Sequence, residues 1–259
     1  MKLSHWYGRL GNNIQQCAIG TMVAQESGGT FKQELDHDII EKYETTFGSS
    51  DEEQVSKFFY WEGPYREVTL SSGFITRSIR QVCKKFVFPH LRVPRVSVPD
   101  DTIVIHIRSG DVFDKGVVNP CNYVPNPLYF YLQLLEQFES AIVVTEGDNH
   151  NPILDELRKH PKVTIQSESV AYDFGTLLAA KHVANSGVGT FGVAAALCSD
   201  NIEQFYCTDA MMSEHLNYEM LVNTDVSVNL MSLGDYIKVG EWNNSDEQRE
   251  YILAYNPTS

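Results

Sequence analysis

The residues best suited to chemistry follow a short apolar run in the middle of the chain. The segment TIVIHIRSGDVFD starts at Thr102 with β-branched and other apolar residues, and Arg108, Asp111 and Asp114 bring charge to its second half. Such a run is typical of a strand that is buried on both faces. Arginine is always charged and its planar fork can bind two phosphate oxygens at once, so Arg108 is a candidate for binding a phosphorylated ligand.

Two carboxylates after Arg108 are candidates for a catalytic base. Asp111 directly follows a glycine, and an aspartate in that position often caps its own turn. We therefore favour Asp114 as the base and keep Asp111 as the second candidate. His106, inside the apolar run, is either a ligand contact or a packed imidazole bonded to the backbone.

A glycine-rich segment lies further along the chain. SGVGTFGVAAAL, from Ser186 to Leu197, contains the pattern GxGxxG, follows a strand-like stretch and opens a helix-like one. A tight glycine turn of this kind can bring backbone N–H groups and a helix N-terminus close to a diphosphate. Asp209 lies near the spacing at which dinucleotide-binding motifs place the acid that binds ribose. The loop follows the fourth strand of its half rather than the first, which favours a diphosphate over a nicotinamide; a turn with a packing role alone is the alternative.

A second glycine turn occurs near the amino end, in GRLGNNIQQCAIGTMVAQESGG. Gly8 and Gly11 indicate a turn, and Asn12 or Asn13 is a candidate N-cap for the helix that follows. Arg9 lies in this turn, directly before the helix N-terminus. Glycines, an arginine and a helix N-terminus together suit an anion. The alternative is a surface turn with a solvated arginine.

Strand and helix patterns alternate regularly in the second part of the chain. The predicted strands are TIVIHIR, AIVVTE, KVTIQ, HVANS and IEQFYC, and the predicted helices between them are PLYFYLQLLEQF, PILDELRKH, YDFGTLLAAK and TFGVAAALC. This alternation predicts βαβ units, a parallel sheet and a Rossmann-like α/β fold. Ligands of such sheets bind beyond the carboxyl ends of the strands, which is where Arg108 is expected.

The character of the sequence changes near residue 98. A polar, acidic stretch comes first, and Pro89, Pro94 and Pro99 then indicate a connector. We predict an amino-terminal, acceptor-side domain over residues 1–98 and a nucleotide-sugar-binding domain over residues 99–244. A final helix over residues 245–256, with a serine N-cap and acids in its first turn, is expected to pack back onto the amino-terminal domain.

Composition excludes several classes of protein. The 259 residues carry a formal net charge of −14, whereas a protein that binds nucleic acid needs a basic face. No apolar run approaches the roughly 20 residues that span a bilayer, and the first residues lack an apolar signal-peptide core, so we expect a cytoplasmic protein. The five cysteines are scattered and form no CxxC pair, which favours reduced thiols over a disulfide framework or a zinc ribbon.

Three stretches resemble one family of enzymes. GRLGN, at residues 8–12, resembles the G-x-[LF]-G-N opening of the fucosyltransferase superfamily, and HIRSGD, at 106–111, resembles its H-x-R-R-G-D motif with Ser109 in place of the second arginine. The order of elements from Val143 to Phe191 is similar to that of the donor half of the α-1,2-, α-1,6- and protein-O-fucosyltransferases.

The resemblance implies a GT-B fold, in which two Rossmann-like domains face each other across a cleft. It also implies an inverting, metal-independent transfer of a sugar from a nucleotide to a glycan hydroxyl. GDP-fucose is the favoured donor, a UDP-sugar is the alternative, and no separate cofactor is needed. Arg108 would bind the β-phosphate, and His106 and Asp173 would approach the base or ribose. The other implied donor-site residues are Gly8, Arg9, Gly11, Asn12, Ser186, Gly189, Thr190 and Phe191.

Two other functions fit parts of the sequence. An enzyme dependent on NAD or S-adenosylmethionine could use the GVGTFG loop, and a non-catalytic protein could bind a sugar nucleotide or a glycan. The segment LDHD, at residues 35–38, contains the DxD pattern of metal-dependent glycosyltransferases. No apolar strand precedes it, so we interpret it as an acidic loop that faces either solvent or the acceptor, and we predict no metal site.

Overall fold

The fold is described from a computed structural model. It covers residues 2–48, 79–114, 123–210 and 217–257, and the backbone alone of residues 55–56. Residues 49–54 and 57–78 of the predicted amino-terminal domain, as well as Cys121, lie outside the described residues. The other four cysteines, Cys17, Cys83, Cys198 and Cys207, are buried free thiols.

The amino-terminal part contains a small mixed sheet. Its elements are β1 (Lys2–Leu3), α1 (Leu10–Ser27), β2 (Thr30–Gln33), β3 (Tyr43–Thr46) and β4 (Val55–Ser56). The strand order is β3-β2-β1-β4, and β1 pairs in parallel with both β2 and β4. The first helix therefore connects two parallel strands. It ends where Gly28 adopts a left-handed conformation, with φ of 64°, a common way for glycine to end a helix.

The start of α1 differs from the prediction. The helix begins at Leu10, with Arg9 in the N-cap position and no side-chain cap. Asn12 therefore lies in the first turn, and its Oδ1 accepts a hydrogen bond from Thr190 Oγ1 at 2.7 Å. The side chains of Asn12 and Asn13 bind Thr190 and the carbonyl oxygen of Tyr7 instead of capping the helix. The first N–H groups of α1 therefore have no side-chain partner at the cap.

The carboxyl-terminal part forms one six-stranded sheet with helices around it. Its elements are β5 (Thr102–Ile107), α2 (Leu128–Leu135), β6 (Ser140–Thr145), α3 (Ile153–Leu157), β7 (Val163–Gln166), α4 (Val170–Ala179), β8 (His182–Ala184), α5 (Phe191–Cys198), β9 (Gln204–Thr208), β10 (Ser227–Met231) and α6 (Asp246–Ala254). The strand order is β10-β9-β8-β5-β6-β7, and every pairing is parallel.

This strand order confirms the predicted α/β fold with a parallel sheet. It is the doubly wound order in which the chain reverses direction between its first and fourth strands, here β5 and β8. All six residues of β5 are buried, as the β-branched run predicted. Ligands of such sheets bind in the crevice beyond the carboxyl ends of the two strands at the reversal. A ligand is therefore expected next to the segments that follow Ile107 and Ala184.

The two parts of the chain share a hydrophobic cluster. Residues of α1, including Ile14 and Met22, belong to the same buried cluster as Val193 and Leu197 of α5. The buried helix α5 is rich in alanine, and small side chains allow α1 to approach it closely. The division into two facing domains at residue 98 stays a prediction.

A buried arginine also links the two parts. The Arg80 side chain is almost fully buried and forms an ion pair with Asp225, which lies before β10. Its Nη1 donates to the carbonyl oxygen of Ala196, near the end of α5. The guanidinium therefore binds a helix carboxyl end, where cations are favoured.

The last helix packs in a different place from the one we expected. Ser245 Oγ accepts a hydrogen bond from Gln248 N, which confirms the predicted N-cap. The buried residues Ile252 and Tyr255, however, belong to a cluster with Phe130 and Leu134 of α2. The expectation that this helix packs onto the amino-terminal part is therefore wrong, because its apolar side covers α2 in the carboxyl-terminal part. No helix among the described residues is both long and apolar enough to cross a membrane.

Candidate functional site

Arg108 lies where the sequence predicted, one residue beyond the end of β5. Its Nη1 forms an ion pair with Glu146 Oε1 at 2.9 Å, and its Nη2 binds Asp111 Oδ1. Glu146 directly follows the neighbouring strand β6. The guanidinium is thus held between the loops that leave two adjacent strands, and 17% of its side chain is exposed.

Arg9 reaches the same carboxylate from the amino-terminal part. Its Nη1 lies 2.8 Å from Glu146 Oε1, and its Nη2 lies 3.8 Å from Asp111 Oδ1. Two arginines that are far apart in the sequence therefore share one carboxylate oxygen. Arg9 is 61% exposed, and ion pairs at exposed positions contribute little free energy. A stronger anion can replace Glu146 at Arg9 for a small cost.

The loop after Arg108 is fixed by hydrogen bonds to the loop after β6. Ser109 N donates to Glu146 Oε2 at 2.7 Å, and Ser109 Oγ donates to Asp148 Oδ1 at 2.5 Å. Asn151 Nδ2 donates to the carbonyl oxygen of Arg108 at 3.0 Å. Partial burial raises the pKa of Asp148, but hydrogen bonds from the Ser109 hydroxyl and from backbone N–H groups hold it below its ordinary value. Asp148 is therefore an anchor for Ser109.

Two helix N-termini meet beside these arginines. The Cβ that an alanine would carry at position 11, in the first turn of α1, would lie 2.4 Å from Thr190 Oγ1. Thr190 is the N-cap residue of α5, so only glycine at position 11 permits this approach. Neither helix has a side-chain cap or an acidic residue in its first turn. Among the described residues, the first N–H groups of both helices therefore have no side-chain partner at the cap, and such groups are ones that an anion can bind.

Two other helices of the carboxyl-terminal part satisfy their N-termini internally. Ser169 Oγ caps α4 and Asp173 lies in its first turn, while Ser245 caps α6, whose first turn contains Asp246 and Glu247. Helix α2 also begins without a cap or an acid, but it packs in the other hydrophobic cluster. Among the described helices of the shared cluster, α1 and α5 differ from α4 in keeping their N-termini open.

The glycine-rich segment forms the predicted turn between β8 and α5. Gly187 and Gly189 adopt left-handed conformations, with φ of 75° and 85°, which favour glycine. A Cβ at position 187 would lie 2.5 Å from Asn126 Oδ1. Ser186 Oγ donates to the carbonyl oxygen of Val188, inside the turn. The strand–turn–helix arrangement is confirmed, and the hydroxyl of Ser186 serves the turn itself.

His106 is a packed imidazole in this structure. Its ring centroid lies 5.2 Å from that of Phe191, in the first turn of α5. Burial lowers the pKa of His106 to about 4, so the ring is neutral near pH 7. Among the described residues, His106 Nδ1 has no hydrogen-bond partner. The ring therefore supports the first turn of α5 and carries no charge toward a ligand.

Asp173 lies apart from the arginines. Its Oδ1 accepts a hydrogen bond from Gln166 Nε2 at 2.7 Å, and Glu168 N also donates to this carboxylate. Gln166 ends β7, which is two strands away from β5, or about 10 Å at the usual strand spacing. The carboxylate is occupied by its own loop, and its approach to a ribose or base stays a prediction.

The two candidate bases have different partners. Asp111 is bound to Arg108, whereas Asp114 Oδ1 lies 2.6 Å from His150 Nδ1. Sequence reasoning missed both Glu146 and His150. Glu146 is the last residue of the predicted strand AIVVTE and His150 lies in the segment after it, so the rule that ligands bind beyond strand carboxyl ends could have indicated both.

The DxD segment lies on the surface. The Asp36 side chain is 97% exposed and forms an ion pair with Lys42 at 2.7 Å. In the described parts of the chain, no group of three or more His, Cys, Asp or Glu side chains is arranged to hold a metal ion.

The segments that follow β5, β6 and β8, together with the start of α1, thus contain two arginines on one carboxylate, two helix N-termini without a side-chain cap and a left-handed glycine turn. Comparisons with protein-family models, with curated proteins and with solved structures found no match for this chain.

Proposed function

We propose that this protein is an inverting, metal-independent glycosyltransferase that moves a sugar from a nucleotide-diphosphate donor to a glycan hydroxyl. Fucose from GDP-fucose is the favoured sugar, and the two-domain GT-B arrangement is part of the proposal. One observation carries it: Arg9 and Arg108 share a carboxylate next to the open N-termini of α1 and α5.

A diphosphate suits this combination of groups. Each helix N-terminus carries the equivalent of about half a positive charge and several free N–H donors. Arg108 adds a fixed fork that can bind two phosphate oxygens. Asp111 and Glu146 occupy the arginines in the free protein, and the phosphate oxygens would take over at least the exposed Arg9. The protein as a whole is acidic, so an anion needs local cations such as Arg9 and Arg108 that offset the overall field.

The same groups can stabilise a leaving group. Glycosyl transfer builds an oxocarbenium-like centre while negative charge grows on the diphosphate. Donors that are already oriented toward that charge lower the barrier without a metal ion, and the loss of one such donor costs roughly 10²–10³ in rate in other enzymes. Arg108 is oriented in this way by Glu146 and by the bond from Asn151 to its carbonyl oxygen.

The dinucleotide alternative has less support. Asp209, the candidate for binding a ribose, accepts a hydrogen bond from Ser232 Oγ at 2.6 Å through Oδ2 and one from Leu233 N at 3.0 Å through Oδ1. Both carboxylate oxygens already accept hydrogen bonds within the protein, so Asp209 has a structural role at the end of β9. A non-catalytic protein that binds a sugar nucleotide or a glycan would differ from the proposed enzyme only in the absence of turnover.

A panel of nucleotides tests the proposal. In a thermal-shift assay, a ligand at 100 times its Kd stabilises the folded protein by about 2.7 kcal/mol. GDP or UDP is expected to stabilise more than NAD or S-adenosylmethionine, and the Arg108→Ala variant is expected to lose this stabilisation. Arg95→Ala is the matched control, because Arg95 is exposed in the connector before β5. Stabilisation by NAD or S-adenosylmethionine alone would contradict the proposal, and nucleotide-sugar binding without transfer or hydrolysis would support a binding protein.

A further inference from the structure

A histidine and an aspartate form a close pair at the same edge of the sheet. His150 Nδ1 lies 2.6 Å from Asp114 Oδ1, and both side chains are partly exposed, at 45% and 41%. Asp114 lies in the segment after β5, and His150 lies in the loop after the adjacent strand β6. The pair is thus presented to solvent beyond the strand ends that carry Arg108 and Glu146.

The backbone on both sides of this pair is held by one arginine. Arg249 of α6 donates from Nη2 to the carbonyl oxygen of His150 at 2.8 Å and from Nη1 to that of Phe113 at 3.4 Å. His150 N donates to Asp148 Oδ1 at 2.9 Å, and Asp148 also binds Ser109, next to Arg108. The position of the imidazole is therefore fixed relative to both Asp114 and the Arg108 segment.

We propose that His150, oriented by Asp114, is the general base that activates the acceptor hydroxyl; this inference rests on the proposed function. With Nδ1–H donated to Asp114, Nε2 carries the lone pair. The acceptor O–H proton passes to Nε2 as the acceptor oxygen forms a bond to the anomeric carbon. The bond from that carbon to the diphosphate oxygen breaks, and its electron pair leaves with the diphosphate.

The neighbouring carboxylates are less suited to this role. Asp111 and Glu146 are bound to arginines, and Asp148 accepts hydrogen bonds from Ser109 and His150. The charged groups that face His150 are Asp114 and Asp148, the latter 3.8 Å from Nδ1, together with Arg249 at its carbonyl oxygen. An aspartate bound to Nδ1–H fixes the tautomer and stabilises the imidazolium that forms. The predicted base Asp114 thus becomes a positioning residue.

The test compares His150→Gln with His160→Gln, a control outside the site, where the His160 ring accepts a hydrogen bond from Lys162 N through Nδ1. We expect His150→Gln to lower kcat about 100-fold or more and to leave the nucleotide Kd within about twofold. The pH profile of wild-type transfer is expected to differ from that of the residual activity of the variant, because the variant lacks the imidazole. Exogenous imidazole is expected to restore transfer by His150→Gly but not by Asp114→Ala, which retains its histidine.

Two results would overturn the inference. If the wild type transfers sugar and His150→Gln keeps a similar rate and pH profile, His150 is not the base, while the proposed function stands. If the wild type neither binds a nucleotide nor transfers sugar, the proposed function fails and the role of His150 fails with it. If His150→Gln folds poorly, His150→Gly is the test: rescue of its transfer by imidazole supports the inference, and the absence of rescue overturns it.

Discussion

Replacing Arg108 is the most informative single change. In Arg108→Ala, the preorganised donor to the diphosphate is lost, and we expect kcat to fall about 10²–10³-fold. This corresponds to about 3–4 kcal/mol of transition-state stabilisation. Arg108→Lys is expected to recover little of the rate, since an ammonium cannot reproduce the two-pronged contact of a guanidinium.

The fold is expected to survive this change. Glu146 keeps Arg9 at 2.8 Å and Ser109 N at 2.7 Å when Arg108 is removed, so its charge stays paired. We therefore expect the free energy of unfolding to decrease by about 1–2 kcal/mol, which is small against the usual 5–15 kcal/mol. Circular dichroism and urea denaturation measure this separately from the rate.

The assay is release of the nucleoside diphosphate from a nucleotide sugar in the presence of a glycan acceptor, with Arg95→Ala as the control. Transfer by Arg108→Ala or Arg108→Lys within about threefold of the wild type, well short of the 10²-fold loss expected for a preorganised donor, would refute a phosphate-binding role for Arg108.

Three further predictions concern metal, the amino-terminal arginine and acid stability. EDTA is expected to leave transfer unchanged; complete loss that manganese restores would instead assign the reaction to Asp36 and Asp38. Arg9→Ala should lower kcat far more than GDP affinity measured by calorimetry, because Arg9 is exposed and free GDP can still bind at Arg108; an unchanged kcat would contradict this. Asp225→Asn leaves the buried Arg80 without its carboxylate and should destabilise the protein by about 2 kcal/mol, whereas Asp200→Asn, which affects only a Lys84 pair, should not. The hydrogen bond and charge of Arg80 hold the pKa of Asp225 far below its ordinary value. This stabilisation is therefore complete above about pH 4 and is lost as the pH falls further. Denaturation between pH 6 and pH 2 tests this: if the free energy of unfolding falls equally with pH in the wild type and in Asp225→Asn, the prediction is contradicted.

Local patterns predicted much of the fold and part of the site. The β-branched run of β5 and the regular alternation of elements were enough to predict a parallel sheet, and the sheet then placed Arg108 at its carboxyl edge. The GVGTFG turn was also predicted correctly, because glycine favours the left-handed backbone conformations that the turn requires. The proximity of Arg9 to Arg108 was predicted only because both arginines lie in segments suited to bind an anion.

Features that depend on tertiary contacts were harder to predict. The apolar side of α6 indicated that the helix is buried but not that it covers α2. Glu146 and His150 resemble ordinary loop residues in the sequence, and their roles depend on two loops that meet only after β5 and β6 pair. The start of α1 was misplaced because Asn12 binds Thr190 rather than its own helix.

Calorimetry of GDP and guanosine with the wild type and Arg108→Ala tests the central claim most directly, since the two ligands differ only in the diphosphate. The account predicts that the wild type binds GDP at least 100-fold more tightly than guanosine. It also predicts that Arg108→Ala loses about 10- to 100-fold of this preference, the equivalent of about 1.5–3 kcal/mol for hydrogen bonds to a charged group. Equal affinities for GDP and guanosine in the wild type, or a preference that Arg108→Ala leaves intact, would contradict a diphosphate site at the crevice between β5 and β8.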